Sequence, residues 1–245
     1  MFGRAVFGGV VGGRAVPAKK TRRGLALGAA GLGACTLIAA CSPVQAGSAA
    51  IVGNQRITSS SLDQQVSNLQ AASAPYGSQI TLSSAEQPRA VLTWLIRFSI
   101  MNQLAADNGI SVTQAQSQAG LSEIQSEAAS SASQEGYSSA NALFLGNGIS
   151  PQMMPQLGTW VAQETAFELK ANGGAQPTST AEQNTVTAAY NKAECQAAKS
   201  LNIQVSPQFG RIDYTQYSVV AANNTLSQPS GVPSPASTTG LTPAC

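Results

Sequence analysis

An apolar run that ends in a cysteine constrains this chain more than any other feature of its sequence. Residues 24–40 are apolar or small throughout, and the basic segment 19–23 precedes them. A run of about 17 residues is short for a stable membrane span but typical of the hydrophobic region of an export signal. We therefore predict that residues 1–40 are a signal peptide. An uncleaved membrane anchor is the alternative.

The end of this run resembles a lipobox, the motif at which bacterial lipoproteins are lipidated and cleaved. Ile38, Ala39 and Ala40 supply a branched apolar residue and two small residues, and Cys41 follows them. Diacylglycerol on the Cys41 sulfur and a further acyl chain such as palmitate would anchor the protein, because stable anchoring needs more than one buried chain. We predict lipidation at Cys41, a linker over residues 41–47, and a location on the extracytoplasmic face of the cell membrane.

Three alternatives concerning the predicted signal peptide stay open. A looser lipobox ends at Cys35, although it would shorten the hydrophobic core to about ten residues. Arg22 and Arg23 resemble a twin-arginine export signal, so that route and the general secretory route both stay open. The segment before Lys19 is long and rich in glycine and valine, which raises the hypothesis that translation starts at Val16 instead of Met1.

Charge is distributed unevenly along the chain. Of the 13 basic residues, six precede Cys41, whereas all 11 acidic residues follow it. From Cys41 onward, seven basic residues therefore stand against 11 acidic ones, a net charge of −4. A segment of this sign offers no basic patch to nucleic-acid phosphates, so we predict no nucleic-acid binding.

The chain contains no histidine, which removes imidazole as metal ligand, general base and triad member. Beyond Cys41 the only cysteines of the mature segment are Cys195 and Cys245, too few for a zinc site without carboxylates. The glycine pairs lack the lysine of a phosphate-binding loop. We predict no catalytic residue, no metal, no cofactor and no small-molecule substrate, and hence no enzyme.

Two carboxylate pairs, Glu123/Glu127 and Glu164/Glu168, have a spacing of four residues. This spacing places both members of a pair on one face of a helix. A solvated helix face explains it better than a glycosidase dyad. We therefore interpret both pairs as surface charge.

Apolar periodicity predicts a mainly helical domain over residues 48–215. Around Gly53 and Asn54 the alternation predicts a hairpin, and Ser60 or Ser61 is expected to cap the first helix. The helix that ends near Asp107 is apolar on almost all sides, so we expect it at the centre. Further elements are expected as a break at 74–77, a capping box at 83–86, helices over 112–132, 138–145, 150–171 and 180–201, and strands over 203–205 and 207–212.

The C-terminal part is rich in serine, proline and threonine. Residues 216–245 are predicted to be a flexible tail, because such a composition cannot bury enough apolar surface to fold alone. An exported protein can keep disulfides, so Cys195 and Cys245 are candidates for a bond that ties the tail to the last helix. Two free thiols are the alternative.

Several short motifs occur in the order found in one protein family. Residues 49–58 read AAIVGNQRIT, an apolar helix is followed at 108–113 by NGISVT, and residues 203–210 read IQVSPQFG. This series resembles the SurA-like N-terminal domain of extracytoplasmic foldases such as SurA and PrsA, and its ending is similar to that of short actinobacterial lipoproteins of this group. The resemblance implies a helical client-binding module with a small β element formed by the N-terminal hairpin and a C-terminal strand.

The chain departs from those foldases where they insert a parvulin-type prolyl isomerase domain. Here the last helix runs almost directly into the terminal strand, and the active-site histidines are missing. The resemblance therefore implies a chaperone-like holdase of unfolded secreted or envelope proteins without isomerase activity. Met153, Trp160 and Phe167 are candidates for client binding, with a role in the core as the alternative. A structural or adaptor lipoprotein with one envelope partner is the competing hypothesis.

Overall fold

A computed structural model describes residues 47–222 of the protein. The predicted signal peptide, the predicted lipidation site Cys41 and the cysteine Cys245 lie outside this range. Among the described residues, none of the helices combines the length and the apolar character that crossing a membrane requires.

A small antiparallel sheet joins the two ends of the domain. Strands β1 (Ser48–Val52) and β2 (Gln55–Thr58) form the predicted hairpin, and β3 (Gln204–Val205) pairs with the other edge of β1. Ile51 lies opposite Arg56 on one side and Gln204 on the other. The prediction of a β element built from an N-terminal hairpin and a C-terminal strand is confirmed.

Six α-helices make up most of the domain. In chain order they are α1 (Ser59–Ser73), α2 (Gln87–Asp107), α3 (Gln114–Ser131), α4 (Ala140–Gly146), α5 (Met154–Ala171) and α6 (Thr180–Ser200). Short 3₁₀ turns at Ala74–Gln79 and Pro151–Met153 follow α1 and precede α5. The prediction of a mainly α fold is thereby confirmed.

Local hydrogen bonds set where the helices begin. The Thr58 hydroxyl, rather than Ser60 or Ser61, caps α1 by accepting from the Ser61 N–H at 3.1 Å. The segment before α2 is a turn closed by the Glu86 carboxylate, which accepts from the Ser83 N–H and hydroxyl, and α2 itself begins at Gln87. Full capping boxes instead begin α3 and α6.

Helix α2 is the centre of the core, as its apolar sequence predicted. It contacts α1, α5, α6 and strand β1. Its side chains are buried along most of its length, so it supplies the apolar surface against which the other elements pack. The fully buried members include Val91, Leu92, Ile96, Ile100 and Leu104.

A second hairpin corrects the predicted start of the flexible tail. Strands β4 (Arg211–Asp213) and β5 (Ser218–Val220) pair in antiparallel fashion, although the tail was expected from residue 216. Val219 is only 6% exposed, and its N–H donates to the Thr93 hydroxyl of α2 at 2.8 Å. The ordered domain therefore extends beyond residue 215, because β5 docks on the central helix.

Candidate functional site

The three residues predicted to bind clients lie in different environments. Met153 is 1% exposed and Phe167 is 6% exposed, and both belong to the core. The Phe167 ring packs edge-on against Tyr190 with the ring centroids 5.8 Å apart. Trp160 is half-buried and lines a surface pocket. Of the three side chains, Trp160 is the one placed to touch a bound segment in this conformation.

We call this cavity the aromatic pocket. Its volume is about 300 Å³. It opens between α2, α3, α4 and α5, and residues of each helix line it. Its apolar lining includes Trp94, Leu143, Phe144, Leu157 and Trp160. Apolar walls with a few polar groups at the edge are typical of a binding site.

Two tryptophans determine the shape of the aromatic pocket. The rings of Trp94 and Trp160 meet edge to face, with centroids 6.4 Å apart and planes at 87°. The Trp94 indole N–H donates to the Asn147 carbonyl at 2.9 Å, which ties the turn after α4 to α2. The Arg97 guanidinium lies 5.3 Å from the centre of the Trp94 ring. Trp94 is thus held from several sides, whereas the pocket leaves part of its ring accessible.

Two glycines allow α3 and α5 to cross closely enough to form the pocket wall. A methyl group on Gly158 would lie 2.5 Å from the Ser117 carbonyl oxygen, and one on Gly120 would lie 2.7 Å from the Gly158 carbonyl oxygen. At this crossing the Thr159 hydroxyl also donates a hydrogen bond of 3.2 Å to the Ser117 hydroxyl. Glycine inside a helix costs helix stability, so its presence at both positions reflects this close approach.

The rim of the aromatic pocket is acidic. Glu127 and Glu135 are exposed side chains that line its edge beside Ser131 and Asn147. Both glutamates come from the C-terminal end of α3 and the turn after it. Among the residues that line the pocket, these glutamates are the charged ones.

The rim continues into a larger group of carboxylates on α3, α5 and α6. We call it the acidic face; it comprises Glu123, Glu127, Glu164, Glu168 and Glu194. Burial, and after it the charges of the other four, raises the pKa of Glu164 to about 7. Burial also raises the pKa of Glu194, although Arg97 opposes this effect.

The acidic face corrects the interpretation of the two carboxylate pairs. Each pair was expected to be a separate solvated face, but the α3–α5 crossing brings both pairs together and leaves Glu164 half-buried. Spacing within one helix cannot reveal which helix lies opposite. Gly120 and Gly158 were the available signal, since a glycine in the interior of a helix costs helix stability and so indicates close packing there.

A second cavity of about 270 Å³ is also lined by α4. Tyr76, Met154 and Pro151 contribute to it, and it shares Phe144 and Ile149 with the aromatic pocket. Helix α4 therefore contributes to two apolar depressions. Within 47–222, no group of three or more cysteine and acidic side chains is arranged to hold a metal ion.

Residues 26–142 match a family model described as the SurA-like N-terminal domain. The chain contains a SurA-like N-terminal domain. This family is associated with chaperones and foldases that bind unfolded proteins. The match to the SurA-like domain includes α2 and α3 and ends within α4, so the Trp160 wall contributed by α5 lies beyond it. No curated protein and no solved structure matches the chain.

Proposed function

We propose that this protein is a lipid-anchored, extracytoplasmic, chaperone-like holdase that binds unfolded secreted or envelope proteins. The observation that carries the proposal is the aromatic pocket on a SurA-like domain, with Trp94 and Trp160 at its surface. Apolar side chains exposed in an unfolded client gain free energy when such a concave apolar surface removes them from water.

The proposal includes the absence of prolyl isomerase activity. Parvulin-type domains use active-site histidines, and this chain has none. Helix α6 ends at Ser200 and β3 begins at Gln204. An inserted isomerase domain would have to lie between these two elements, and only three residues connect them. Binding would therefore hold a client without isomerising its prolines.

Suppression of aggregation tests the proposal directly. The full chain would be placed in nanodiscs of zwitterionic phosphatidylcholine and mixed at equal molarity with guanidinium-unfolded citrate synthase on dilution. We expect lower light scattering than with empty nanodiscs, and no acceleration in a proline-peptide isomerisation assay. Unchanged scattering with several clients would contradict the holdase function and favour the adaptor hypothesis, which a search for one dominant envelope partner would then test.

A matched pair of variants connects the activity with the pocket. Trp160→Ala removes part of the pocket wall and is expected to weaken suppression. Phe209→Ala removes a partly buried aromatic ring outside the pocket and should leave suppression unchanged. Circular dichroism melts of both variants would establish that each is folded at the assay temperature. Equal suppression by the two variants would place client binding elsewhere.

A further inference from the structure

We propose that the aromatic pocket selects cationic apolar segments, in which an aromatic or branched apolar side chain has lysine or arginine within a few residues. This inference rests on the proposed function and specifies which part of a client is bound. The pocket would take the apolar side chain, and the glutamates of its rim and of the acidic face would contact the basic neighbours.

The size of the aromatic pocket determines which apolar side chain it accepts. At about 300 Å³, it is at the small end of ligand sites in proteins. It therefore suits one or two side chains of an extended chain rather than a whole helix. Trp94, Phe144 and Trp160 offer ring faces and edges to an aromatic side chain, and such pairs gain stability beyond simple burial.

The acidic rim of the aromatic pocket determines the preference for basic residues beside the bound side chain. Glu127 and Glu135 provide the charge at the pocket edge, and both are exposed. The C-terminal end of α3 adds partial negative charge from its last carbonyl groups, and its last turn contains no basic residue. A lysine or arginine next to the bound apolar side chain would meet charge of opposite sign on this side of the pocket.

The acidic face extends the attraction past the rim. Glu127 belongs both to the pocket and to the group of carboxylates around Glu164. Every charged neighbour that affects Glu164 in the described part of the chain is itself acidic. Arg97, the nearby cation, lies over Trp94 and donates to the Gln216 carbonyl at 2.8 Å, and it acts on Glu194 instead. Arg97 therefore offsets the Glu194 end of the acidic face, and the exposed rim carboxylates Glu127 and Glu135 provide the attraction for a cationic ligand.

Charge also disfavours two other occupants. A second copy of this chain would bring a segment of net charge −4 to an acidic surface. Anionic lipid headgroups would meet the same repulsion. An unfolded basic segment suffers neither cost, so charge complementarity favours it over both.

Labelled peptides measure the preference. Four fluorescein-labelled nine-residue peptides of glycine and serine would carry a central tryptophan flanked by lysines, by glutamines or by glutamates, or a central alanine flanked by lysines. With the full chain in phosphatidylcholine nanodiscs, fluorescence anisotropy should give a Kd for the lysine–tryptophan peptide roughly 5- to 20-fold below that of the glutamate–tryptophan peptide. Raising the salt concentration should shrink this ratio. Empty nanodiscs control for adsorption to lipid.

Charge variants locate the preference. Glu127→Gln/Glu135→Gln should reduce the ratio of the two Kd values to within about two-fold of unity. Asp63→Asn/Asp107→Asn removes the same number of charges from exposed positions outside the pocket and should keep the ratio. An equal loss of preference in both variants would overturn the proposal, because net charge rather than the rim would then account for it.

The outcomes separate this inference from the proposed function. Aggregation suppression with equal affinity for the lysine and glutamate peptides would overturn the charge selectivity and leave the holdase function standing. Suppression with no affinity for any tryptophan peptide would overturn the pocket as the binding site. Failure of suppression and of all peptide binding would overturn both.

Discussion

Gly120 and Gly158 face each other where α3 crosses α5, and a methyl group on Gly120 would lie 2.7 Å from the Gly158 carbonyl oxygen. This contact holds the backbones of the two helices at a distance that any side chain would increase. The aromatic pocket and the acidic face both depend on residues of these two helices, so the crossing determines the geometry of each.

Gly158→Ala should destabilise the protein. The added methyl group would lie 2.5 Å from the Ser117 carbonyl oxygen and 2.8 Å from the Leu121 Cβ, neither of which can move without shifting α3. Overpacking costs about 1 to 3 kcal/mol, and the better helix propensity of alanine offsets up to about 1 kcal/mol of it. We expect a net loss of about 1 to 2 kcal/mol in urea unfolding.

Ser126→Ala provides the control on an exposed position of α3. Its effect should stay within about 0.5 kcal/mol, as is usual for surface substitutions. Equal stability of Gly158→Ala and the parent would show that the crossing relaxes easily, and would weaken the geometric basis of the pocket.

Thr93→Val should loosen the C-terminal hairpin. The Thr93 hydroxyl accepts the hydrogen bond from the Val219 N–H, and Thr93 and Val219 are 9% and 6% exposed. Valine keeps the shape but leaves a buried N–H without an acceptor, which costs about 1 to 3 kcal/mol. Hydrogen exchange at the Val219 amide should become faster. Thr93→Ser retains the hydroxyl and should retain the protection, and equal exchange in the two variants would contradict this role.

The stability of the protein should fall as the pH rises from about 4.5 to about 7. The pKa of Glu164 is raised from 4.5 to about 7, mainly by burial, so the folded chain binds more protons than the unfolded chain in this window. Glu164→Gln should remove this contribution and raise the free energy of unfolding at pH 8 by about 1 to 2 kcal/mol, after allowance for solvent screening. Denaturant unfolding at pH 4 and pH 8 measures both values.

Ser126→Ala, an exposed change on α3 that removes no ionisable group, serves as the control for that pH dependence. It should leave the difference between the two pH values as in the parent. If the Glu164→Gln variant kept the parental pH dependence, the loss of stability with rising pH would be due to other carboxylates.

Metabolic labelling with palmitate should mark the protein at Cys41. Cys41→Ala should abolish both the label and signal cleavage, because the thioether sulfur is lost and the lipobox is broken. Cys35→Ala removes the looser candidate and should change neither property. Mass spectrometry of the mature N-terminal peptide locates the modification, and loss of label in Cys35→Ala alone would transfer the anchor to that residue.

Cys195 should be linked to Cys245. Cys195 forms a disulfide and is 7% exposed, and the other cysteines, Cys35, Cys41 and Cys245, all lie outside 47–222. The predicted lipidation would occupy the sulfur of Cys41 and the predicted cleavage would remove Cys35, which leaves Cys245 as the partner we propose. A non-reduced proteolytic digest should yield the two cysteines in one linked peptide. An alkylatable Cys245 thiol in the non-reduced protein would contradict this pairing.

Much of the fold could be predicted because it is encoded locally. Gly53 and Asn54 indicate the first hairpin, Pro75 and Gly77 break the first helix, and the apolar sequence of α2 places it at the centre. Strand β5 could not be predicted in this way. It is three residues long, follows Tyr217 at a positive φ of 47°, and is fixed by a hydrogen bond to a residue 126 positions earlier.

The candidate site was predicted less completely, because it too depends on contacts between residues far apart in the sequence. Trp160 was identified by its apolar character, but nothing in the sequence distinguished its partner Trp94 from the other apolar residues of α2. Burial of Phe167 depends on which face of α5 meets α6, and burial of Met153 depends on how the 3₁₀ turn Pro151–Met153 packs against α1. Sequence periodicity does not distinguish these contacts. Most of the acidic face arises from α3 and α5, whose crossing is decided by backbone contact, and α6 adds Glu194.

The position of β1 between β2 and β3 has a consequence for biosynthesis. The chain emerges from the ribosome N-terminus first, so β1 and β2 are made long before Gln204–Val205. Until then one edge of β1 has no neighbour of its own chain, and an unpaired strand edge is open to association with other chains. A protein proposed to protect unfolded chains is therefore itself exposed during its own synthesis, and completion of its sheet must wait until nearly the whole domain has been translated.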